Sequence, residues 1–438
     1  MPNCDDGAPD NNGEPTERAS GGQPGKRSLI DRRSYLTAAA ATAAAPIAAT
    51  ATASAATARG GIDFDRTVDA VDDLGCDPTG ARACQDRIAA AATDGTLVEV
   101  PSGTYRVDGN LAVRGAQNVG IVGDGDVTFA VPADSQVQFG FEDVTEGLFA
   151  GVTVDQRAPG AVARTRFGCA GGTLRVRDVT VRGATASVRD GAGFRLVPVA
   201  RDPDATVVVE RFAAPDGGPS GSYAAGGGGV YAGPAHVGTL RLVDCDVAGH
   251  PHGGAHLGRA NGTVRVEGGR YANNEVAQAR LGGPDATLEG ATLAAGRGER
   301  TDAALVVEGG AVDVRDAAIR CDVDAPAVRA AAPSGDGAGA LRLVDSQVAG
   351  AAAGGAAVRV RDRPGTVIRD SCVHGTGADR DGVALVGCAD ATVSDTVIDV
   401  TGEPLVVRAS SVDTADVSFD DDCSHGAVAP AAIAEQER

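Results

Sequence analysis

The segment Leu242-Val243-Asp244-Cys245-Asp246-Val247 is one copy of a six-residue pattern that recurs along the chain. Its first and last positions are apolar and its third is Asp or Gly. Other copies begin at Val176, Val266, Leu288, Val314, Leu343, Ile368 and Val393. From 242 onward, the first positions of successive copies are 24, 22, 26, 29, 25 and 25 residues apart. Such a period, with short alternating strands and Gly or Asp punctuation, is typical of a solenoid.

The composition of each copy decides which kind of solenoid is predicted. Every unit carries short Val, Leu or Ile strands and no apolar stretch of helical period, which excludes helical repeats. Parallel coils stacked about 4.8 Å apart can bury the apolar face that one unit cannot bury alone. The Asp or Gly at the third position is interpreted as a turn residue, because both tolerate left-handed backbone geometry. The gap between 176 and 242 is predicted to hold two larger units, with residues 207–209 as the intermediate strand.

Composition and charge narrow the range of functions. The 438 residues include 59 acidic and 39 basic side chains, a net charge of −20. This balance argues against nucleic acid as a partner, since phosphate binding needs clustered Lys and Arg. Lys26 is the only lysine, so catalytic lysines and phosphate-loop lysines are excluded downstream of it. Few lysines and many aspartates indicate a protein solvated in concentrated salt, although a GC-rich genome would give the same bias.

The first 58 residues read as a targeting segment. Arg32 and Arg33 precede Ser-Tyr-Leu and a dilute Ala/Thr run that continues to Ala58, which resembles a twin-arginine export signal. The run is too weakly apolar for a stable membrane span. We therefore expect a monomer that is secreted or held at the cell surface. The remaining boundaries are predicted as an N-terminal cap over 59–106, repeats over 107–423 and a polar tail over 424–438.

The cysteines carry no metal-binding signature. Eight of the nine follow the export segment, and their spacing gives no CxxC pair and no zinc motif. Cys76 and Cys84 are close enough in sequence to form a disulfide, which an exported protein permits. Burial as small apolar side chains is the alternative for the others.

The start of the predicted domain carries a family resemblance. Residues 81–93 are predicted as a short helix that caps the first coil. Residues 69–75, the sequence Asp-Pro-Thr-Gly at 77–80 and the strand and turn at 100–105 resemble the start of pectate-lyase-superfamily proteins. The repeats are similar to those of exported β-helix proteins of halophilic archaea. The resemblance implies an all-β, right-handed parallel β-helix with a short N-terminal capping helix, a fold that hosts many chemistries and also proteins with none.

The catalytic motifs of the superfamily are absent. The polygalacturonase-like pattern is only echoed by Gly249-His250-Pro251-His252-Gly253, and its lysine motif cannot exist here. The calcium-binding carboxylates and Arg base of pectate lyases have no residue-for-residue match. We therefore predict no cofactor, with calcium left open. Metal binding by the histidines is not predicted, since their spacing fits no ligand pattern.

A predicted outward column marks the candidate site. His256 and Arg280 stand where later units place Ala304, Ala327, Ala357 and Ala384, and on stacked coils the first two would be neighbours. An Arg fork can bind a sugar carboxylate and a His can shuttle a proton. The predicted catalytic residues are His256, Arg280 and Asp302, and the predicted substrate-binding residues are His250, His252, Asn273, Asn274 and Gln278. The alternative is an ordinary polar outer face with a His-Pro-His-Gly turn.

Two functions fit these features. The first is a lyase or glycoside hydrolase that binds and cleaves an extracellular acidic polysaccharide. The second is a non-catalytic surface or matrix protein that uses the solenoid as an interaction scaffold. Against catalysis, the only aromatic side chains noted near the site are Tyr223, Tyr231 and Tyr271. Two irregular stretches, 183–205 and 213–238, precede the His-rich unit and are predicted as loops that wall a groove.

Overall fold

A computed structural model describes residues 60–184, 193–219, 227–297, 300–331 and 338–419. It is an all-β parallel solenoid of about 12 turns, which confirms the predicted fold class. The predicted export segment and polar tail lie outside the described residues. Among the described residues, none of the helices is long and apolar enough to cross a membrane.

The first part of the solenoid consists of six strands, four of them of 11 residues or more, and one helix. These elements are β1 (Arg66–Asp69), α1 (Gln85–Ala91), β2 (Thr96–Arg106), β3 (Leu111–Arg114), β4 (Gln117–Ala130), β5 (Gln136–Asp155) and β6 (Val162–Arg182). Helix α1 confirms the predicted helix in a shorter form and buries Ile88 fully in the core. Its role as a cap stays a prediction.

After β6 the strands form three parallel sheets, and each strand pairs with the strand three places later. Sheet 1 consists of β7 (Leu196–Ala200), β10 (Val230–Tyr231), β13 (Ala255–His256), β16 (Ala279–Leu281), β19 (Leu305–Val307), β22 (Val328–Ala331), β25 (Ala356–Arg361), β28 (Asp381–Val386) and β31 (Leu405–Arg408). Sheet 2 consists of β8 (Thr206–Glu210), β11 (Thr239–Val243), β14 (Thr263–Glu267), β17 (Asp285–Glu289), β20 (Gly310–Arg315), β23 (Ala338–Val344), β26 (Val367–Arg369), β29 (Ala391–Ser394) and β32 (Val412–Ala415). Sheet 3 consists of β9 (Ala213–Ala214), β12 (Asp246–Ala248), β15 (Arg270–Ala272), β18 (Thr292–Ala295), β21 (Ala318–Cys321), β24 (Gln347–Gly350), β27 (Cys372–Gly375) and β30 (Val397–Val400).

The six-residue pattern forms the corner between sheets 2 and 3. Its first positions pair from Leu242 through Val266 and onward to Val393, in the predicted order. Val209 pairs with both Val176 and Leu242, which confirms the intermediate strand. The third positions have φ between 47° and 65°, which confirms the turn interpretation; they are Asp178, Asp244, Gly268, Gly290, Asp316, Asp345, Asp370 and Asp395. These side chains serve the backbone, as the left-handed geometry requires.

The composition of the core changes along the axis. Around β2 to β6 the largest fully buried side chains are aromatic: Tyr105, Phe129, Phe139, Phe141, Phe149 and Phe167. Later coils bury mainly Val, Leu, Ile and Ala, in ladders of equivalent positions. Cys76 and Cys84 are free and buried, so the disulfide considered from the sequence is not formed.

The predicted outward column is wrong beyond Arg280. Arg280 pairs with Val306, and the column continues through Arg329 and Arg359 to Ala384. The first three predicted alanines lie instead in the column of Gln278; they are Ala304, Ala327 and Ala357. Strand side chains alternate with period two, so a shift of two residues keeps every side chain on its face. The apolar pattern therefore could not distinguish the two registers.

The two irregular stretches are also only partly loops. Residues 183–205 contain β7, and residues 213–238 contain β9 and β10. Together with β8, these strands complete coils of the solenoid and pair with the strands on either side. Residues 185–192 and 220–226 lie outside the described residues.

Candidate functional site

Sheet 1 brings three polar or aromatic side chains into one column. Tyr231 pairs with His256, and His256 pairs with Arg280, which confirms the predicted neighbour relation. Ala255 and Leu257, on either side of His256, are buried in the core. His256 therefore projects from the outer face, as strand alternation requires.

Four rings lie close together here, and one of them is that of His256. We call these residues, Phe194, Tyr231, His252 and His256, the ring patch. The rings of Phe194 and Tyr231 stack with centroids 4.6 Å apart. The His256 ring lies 5.5 Å from that of Tyr231 and 5.9 Å from that of His252. Phe194 also contacts His252, at 5.3 Å. The aromatic surface missing from the sequence interpretation is thus present.

Phe194 was missed because it lies in the stretch predicted to be a loop. It immediately precedes β7, whose pairing with β10 carries the ring to Tyr231. Tyr271, by contrast, is fully buried in the core, and Tyr223 lies outside the described residues. Aromatic residues are only 3% of the chain, so the presence of Phe194 close to the His-rich unit was a sign in the sequence that it could belong to the site.

His256 is a buried imidazole without a hydrogen-bond partner. Its residue is 6% exposed, and neither Nδ1 nor Nε2 has a partner. Burial, followed by the charge of Arg280, lowers the pKa of His256 to about 3. Burial also lowers the pKa of His252. At neutral pH the His256 ring therefore offers one N–H donor and one acceptor nitrogen.

Arg280 is held by a carboxylate that sequence reasoning missed. Its Nη2 donates to Glu308 Oε1 over 2.5 Å, and the two side chains are only 18% and 26% exposed. A Cβ added at Gly258 would lie 2.2 Å from Glu308 Oε2, so the carboxylate reaches back to the coil of His256. Glycine just after a strand can allow such a close approach of a neighbouring chain, which was the signal in the sequence.

The other predicted substrate-binding residues have internal partners. His250 is fully buried, its Nε2 lies 3.2 Å from the Ala214 carbonyl oxygen, and burial lowers its pKa to about 3. Asn274 and Gln278 are fully buried, and Asn274 Nδ2 donates to Gln278 Oε1 over 3.1 Å. Gln278 Nε2 in turn donates to the Asn274 carbonyl oxygen over 2.8 Å. These three side chains stabilise the backbone beside the patch and are not exposed to a ligand.

Two further predicted residues lie in turns. Asn273 has φ of 53°, and its Oδ1 accepts a hydrogen bond from the Gly296 amide over 3.1 Å. Asp302 forms an ion pair with Arg329 over 3.2 Å. The structure thus brings three predicted site residues together. His252 and His256 belong to the ring patch, and Arg280 lies beside it, paired with Glu308. The catalytic role of Asp302 and the binding role of Asn273 stay predictions.

The described residues give no support for a metal centre. Nowhere in the part of the chain that the structure describes do three His, Cys, Asp or Glu side chains converge in a way that could hold an ion. The calcium left open by the resemblance is therefore assigned no site.

The known proteins that this chain resembles are only distantly similar to it. No protein-family model matches, and no curated protein matches. Among solved structures, the A-module of the mannuronan C-5 epimerase AlgE4 of Azotobacter vinelandii is 15% identical with a TM-score of 0.41. That similarity covers 81% of this chain and 100% of that chain.

Two other solved structures show similar values. The periplasmic alginate epimerase AlgG is 11% identical over 81% of this chain and 84% of that chain, with a TM-score of 0.44. The surface adhesin PfbA of Streptococcus pneumoniae is 12% identical over 81% of this chain and 91% of that chain, with a TM-score of 0.40. Identities and scores this low do not transfer a residue's role, so the function is proposed from this chain's own side chains.

Proposed function

We propose that this is an exported β-helix protein that binds an extracellular polysaccharide at the ring patch. The observation that carries the proposal is the His256 imidazole, almost fully buried among rings with both nitrogens unpartnered. A buried polar group without a partner costs roughly 1–3 kcal/mol. A hydroxyl-rich ligand would supply the missing donor and acceptor, which makes the site more stable when occupied.

The surrounding rings suit a sugar. One face of a sugar ring presents C–H groups that pack against an aromatic ring, while its hydroxyls need hydrogen-bond partners. Phe194 and Tyr231 offer the aromatic surface, and the neutral His256 offers the partners. The column Tyr231–His256–Arg280 runs from coil to coil, so a linear polymer could extend along it over several coils.

The arrangement favours binding over hydrolysis. Glycoside hydrolysis generally needs two carboxyl groups that flank the scissile bond. In the part of the chain that the structure describes, Glu308 supplies a carboxylate beside the patch, and it is paired with Arg280. A lyase reaction would need a base to remove a proton from the sugar ring and a donor to protonate the leaving oxygen, and His256, the candidate base, is a weak one because its pKa is about 3. We therefore propose a binding protein and keep cleavage as a measurable outcome.

The test is a panel of neutral and acidic polysaccharides in molar salt, in which binding is measured by titration calorimetry. Cleavage is followed in the same mixtures through unsaturated ends and reducing sugar. We expect Tyr231→Ala to lower the affinity for any bound polymer about thirtyfold, since a buried aromatic anchor contributes about 2 kcal/mol. Phe419→Ala, which truncates an exposed ring on the last coil, is the control. Equal affinities for the wild type and Tyr231→Ala would contradict the assigned site.

A further inference from the structure

Glu308 alters what the patch can recognise. Glu308 directly follows β19. Its side chain extends past the coil of Arg280, with which it pairs, and its carboxylate lies against Gly258 on the coil of His256. Gly258 follows Leu257 and has no side chain to block this path, whereas a Cβ at Gly282 would meet the backbone carbonyl oxygens of Glu308 and Gly258. The carboxylate is therefore built into the surface beside the rings.

The charge of Arg280 is consequently used inside the protein. Its contact with Glu308 is short and about three-quarters or more buried on both sides, where charge pairing is stronger than at the surface. A sugar carboxylate that approached Arg280 would also approach Glu308 and meet a like charge. The sequence prediction of uronate binding assumed a free guanidinium, which the structure does not provide.

The other groups near the patch do not restore a binding site for anions. His252 and His256 are neutral at neutral pH, because burial lowers the pKa of both. Arg259 follows on the same coil, but its side chain is exposed. At molar ionic strength the screening length is roughly 3 Å, so an exposed cation attracts a ligand weakly.

We propose that Glu308 is a specificity-determining residue that makes the ring patch select uncharged sugar units over uronic acids. This inference rests on the proposed function, that is, on polysaccharide binding at the patch. A neutral sugar leaves the Arg280–Glu308 pair intact, whereas a uronate has to break the pair or is repelled by Glu308.

The experiment compares wild type and Glu308→Gln on hexasaccharides of glucose, galactose and mannose and on hexamers of the corresponding uronic acids. Glutamine keeps the shape of Glu308 over Gly258 and Gly282 but frees the charge of Arg280. We expect the wild type to bind at least one neutral hexamer about tenfold or more tightly than its uronate counterpart. We expect Glu308→Gln to gain about tenfold in uronate affinity, the scale of one charge-assisted hydrogen bond.

Two further variants control the result. Glu267→Gln makes the same change in an ion pair on sheet 2, with Arg241, and should leave both affinities unchanged. The double variant Arg280→Gln/Glu308→Gln keeps the patch uncharged and should bind neutral hexamers without the uronate gain. Thermal melting shows whether the unpaired Arg280 prevents folding of Glu308→Gln. In that case the double variant takes its place in the test of binding to neutral hexamers.

The failures can be told apart. A wild type that prefers the uronates, or a folded Glu308→Gln variant with unchanged preference, overturns the role of Glu308 while binding stands. A folded wild type that binds none of the hexamers or their parent polymers overturns the proposed function and this inference with it.

Discussion

Two parts of sheet 1 share one backbone register and differ in what they place outside. The coils from Val230 to Glu308 project Tyr231, His256 and Arg280, whereas the coils from Val328 to Arg408 project Arg329, Arg359 and Ala384. Two positions further along each strand the first part has Gly258 and Gly282, and the second has Ala331, Arg361 and Val386. In the first part the Glu308 side chain occupies the space that a side chain at Gly258 would fill. In the second part each of these positions has a side chain of its own.

The comparison teaches that the site is made without a change of backbone. The missing side chain at Gly258 lets the Glu308 carboxylate lie against the coil of His256, and the missing side chain at Gly282 makes room for the backbone of Glu308. The segment before β7 adds Phe194 from the side. A solenoid can thus carry a local site on a few neighbouring coils while its ladders continue undisturbed.

The largest effect is expected from filling one of the glycine positions. A Cβ at Gly282 would lie 2.3 Å from the Glu308 carbonyl oxygen and 2.9 Å from that of Gly258, and both are backbone atoms. Because backbone on both sides must move, we expect Gly282→Ala to lower the free energy of unfolding by roughly 3 kcal/mol. Urea denaturation followed by circular dichroism measures this.

Ala331→Gly is the matched control in the second part. Ala331 follows Ala330, which pairs with Val307, and Val307 pairs with Leu281 before Gly282, so the two positions are equivalent. Loss of this methyl group should cost no more than about 1 kcal/mol. Equal effects of the two substitutions would show that the glycines of the first part are incidental.

The next effect concerns pH and the buried imidazole. The pKa of His256 is about 3 in the folded protein, below the ordinary value of about 6.5, so the unfolded chain takes up the proton first as pH falls. The contribution of neutral His256 to stability is complete above pH of about 6.5 and is lost towards pH 3, at about 1.4 kcal/mol per pH unit. We expect His256→Gln to reduce the loss of stability between pH 6.5 and 4.5 by roughly 2–3 kcal/mol.

Arg359→Gln makes the same change in the same column of the second part. Arginine stays charged throughout this range, so the pH profile of this variant should parallel that of the wild type. The measurement is the free energy of unfolding at a series of pH values in constant salt. A His256→Gln profile parallel to the wild type would mean that the imidazole is solvated in the folded state.

The sequence predicted the coils well and the site only in part, for one physical reason. Repetition of Leu242 and its equivalents reports the core, where each coil must match the next, so period and turns could be read. The outer face is not constrained in this way, and a shift of two residues at Val306 left no trace in the alternation. His256 and Arg280 were found because they lie on adjacent coils, whereas Phe194 lies in a stretch predicted as a loop and Glu308 lies two positions beyond Val306 of the column.

The smallest effect tests the feature that both parts share, the left-handed turn between sheets 2 and 3. The first part uses Gly290 there and the second Asp345, with φ of 65° and 50°. An alanine costs about 1–2 kcal/mol in this geometry, so Gly290→Ala and Asp345→Ala should each destabilise by about 1 kcal/mol. Asp345→Gly should change stability by only a few tenths of a kcal/mol in molar salt, because glycine adopts this φ at no steric cost.

The salt concentration separates the charge contribution of Asp345 from its contribution to the turn geometry. Asp345 is stacked between Asp316 and Asp370, one strand spacing from each, and like charges about 4–5 Å apart repel by about 1 kcal/mol in water. At low salt Asp345→Gly removes this repulsion and should stabilise the protein, whereas at molar salt the screening length of roughly 3 Å makes the same change nearly neutral. Thermal melting of both proteins across a salt series measures the difference. A stabilisation that is independent of salt would mean that the aspartate ladder carries little repulsion, and the acidic composition would then need another explanation than solvation in concentrated salt.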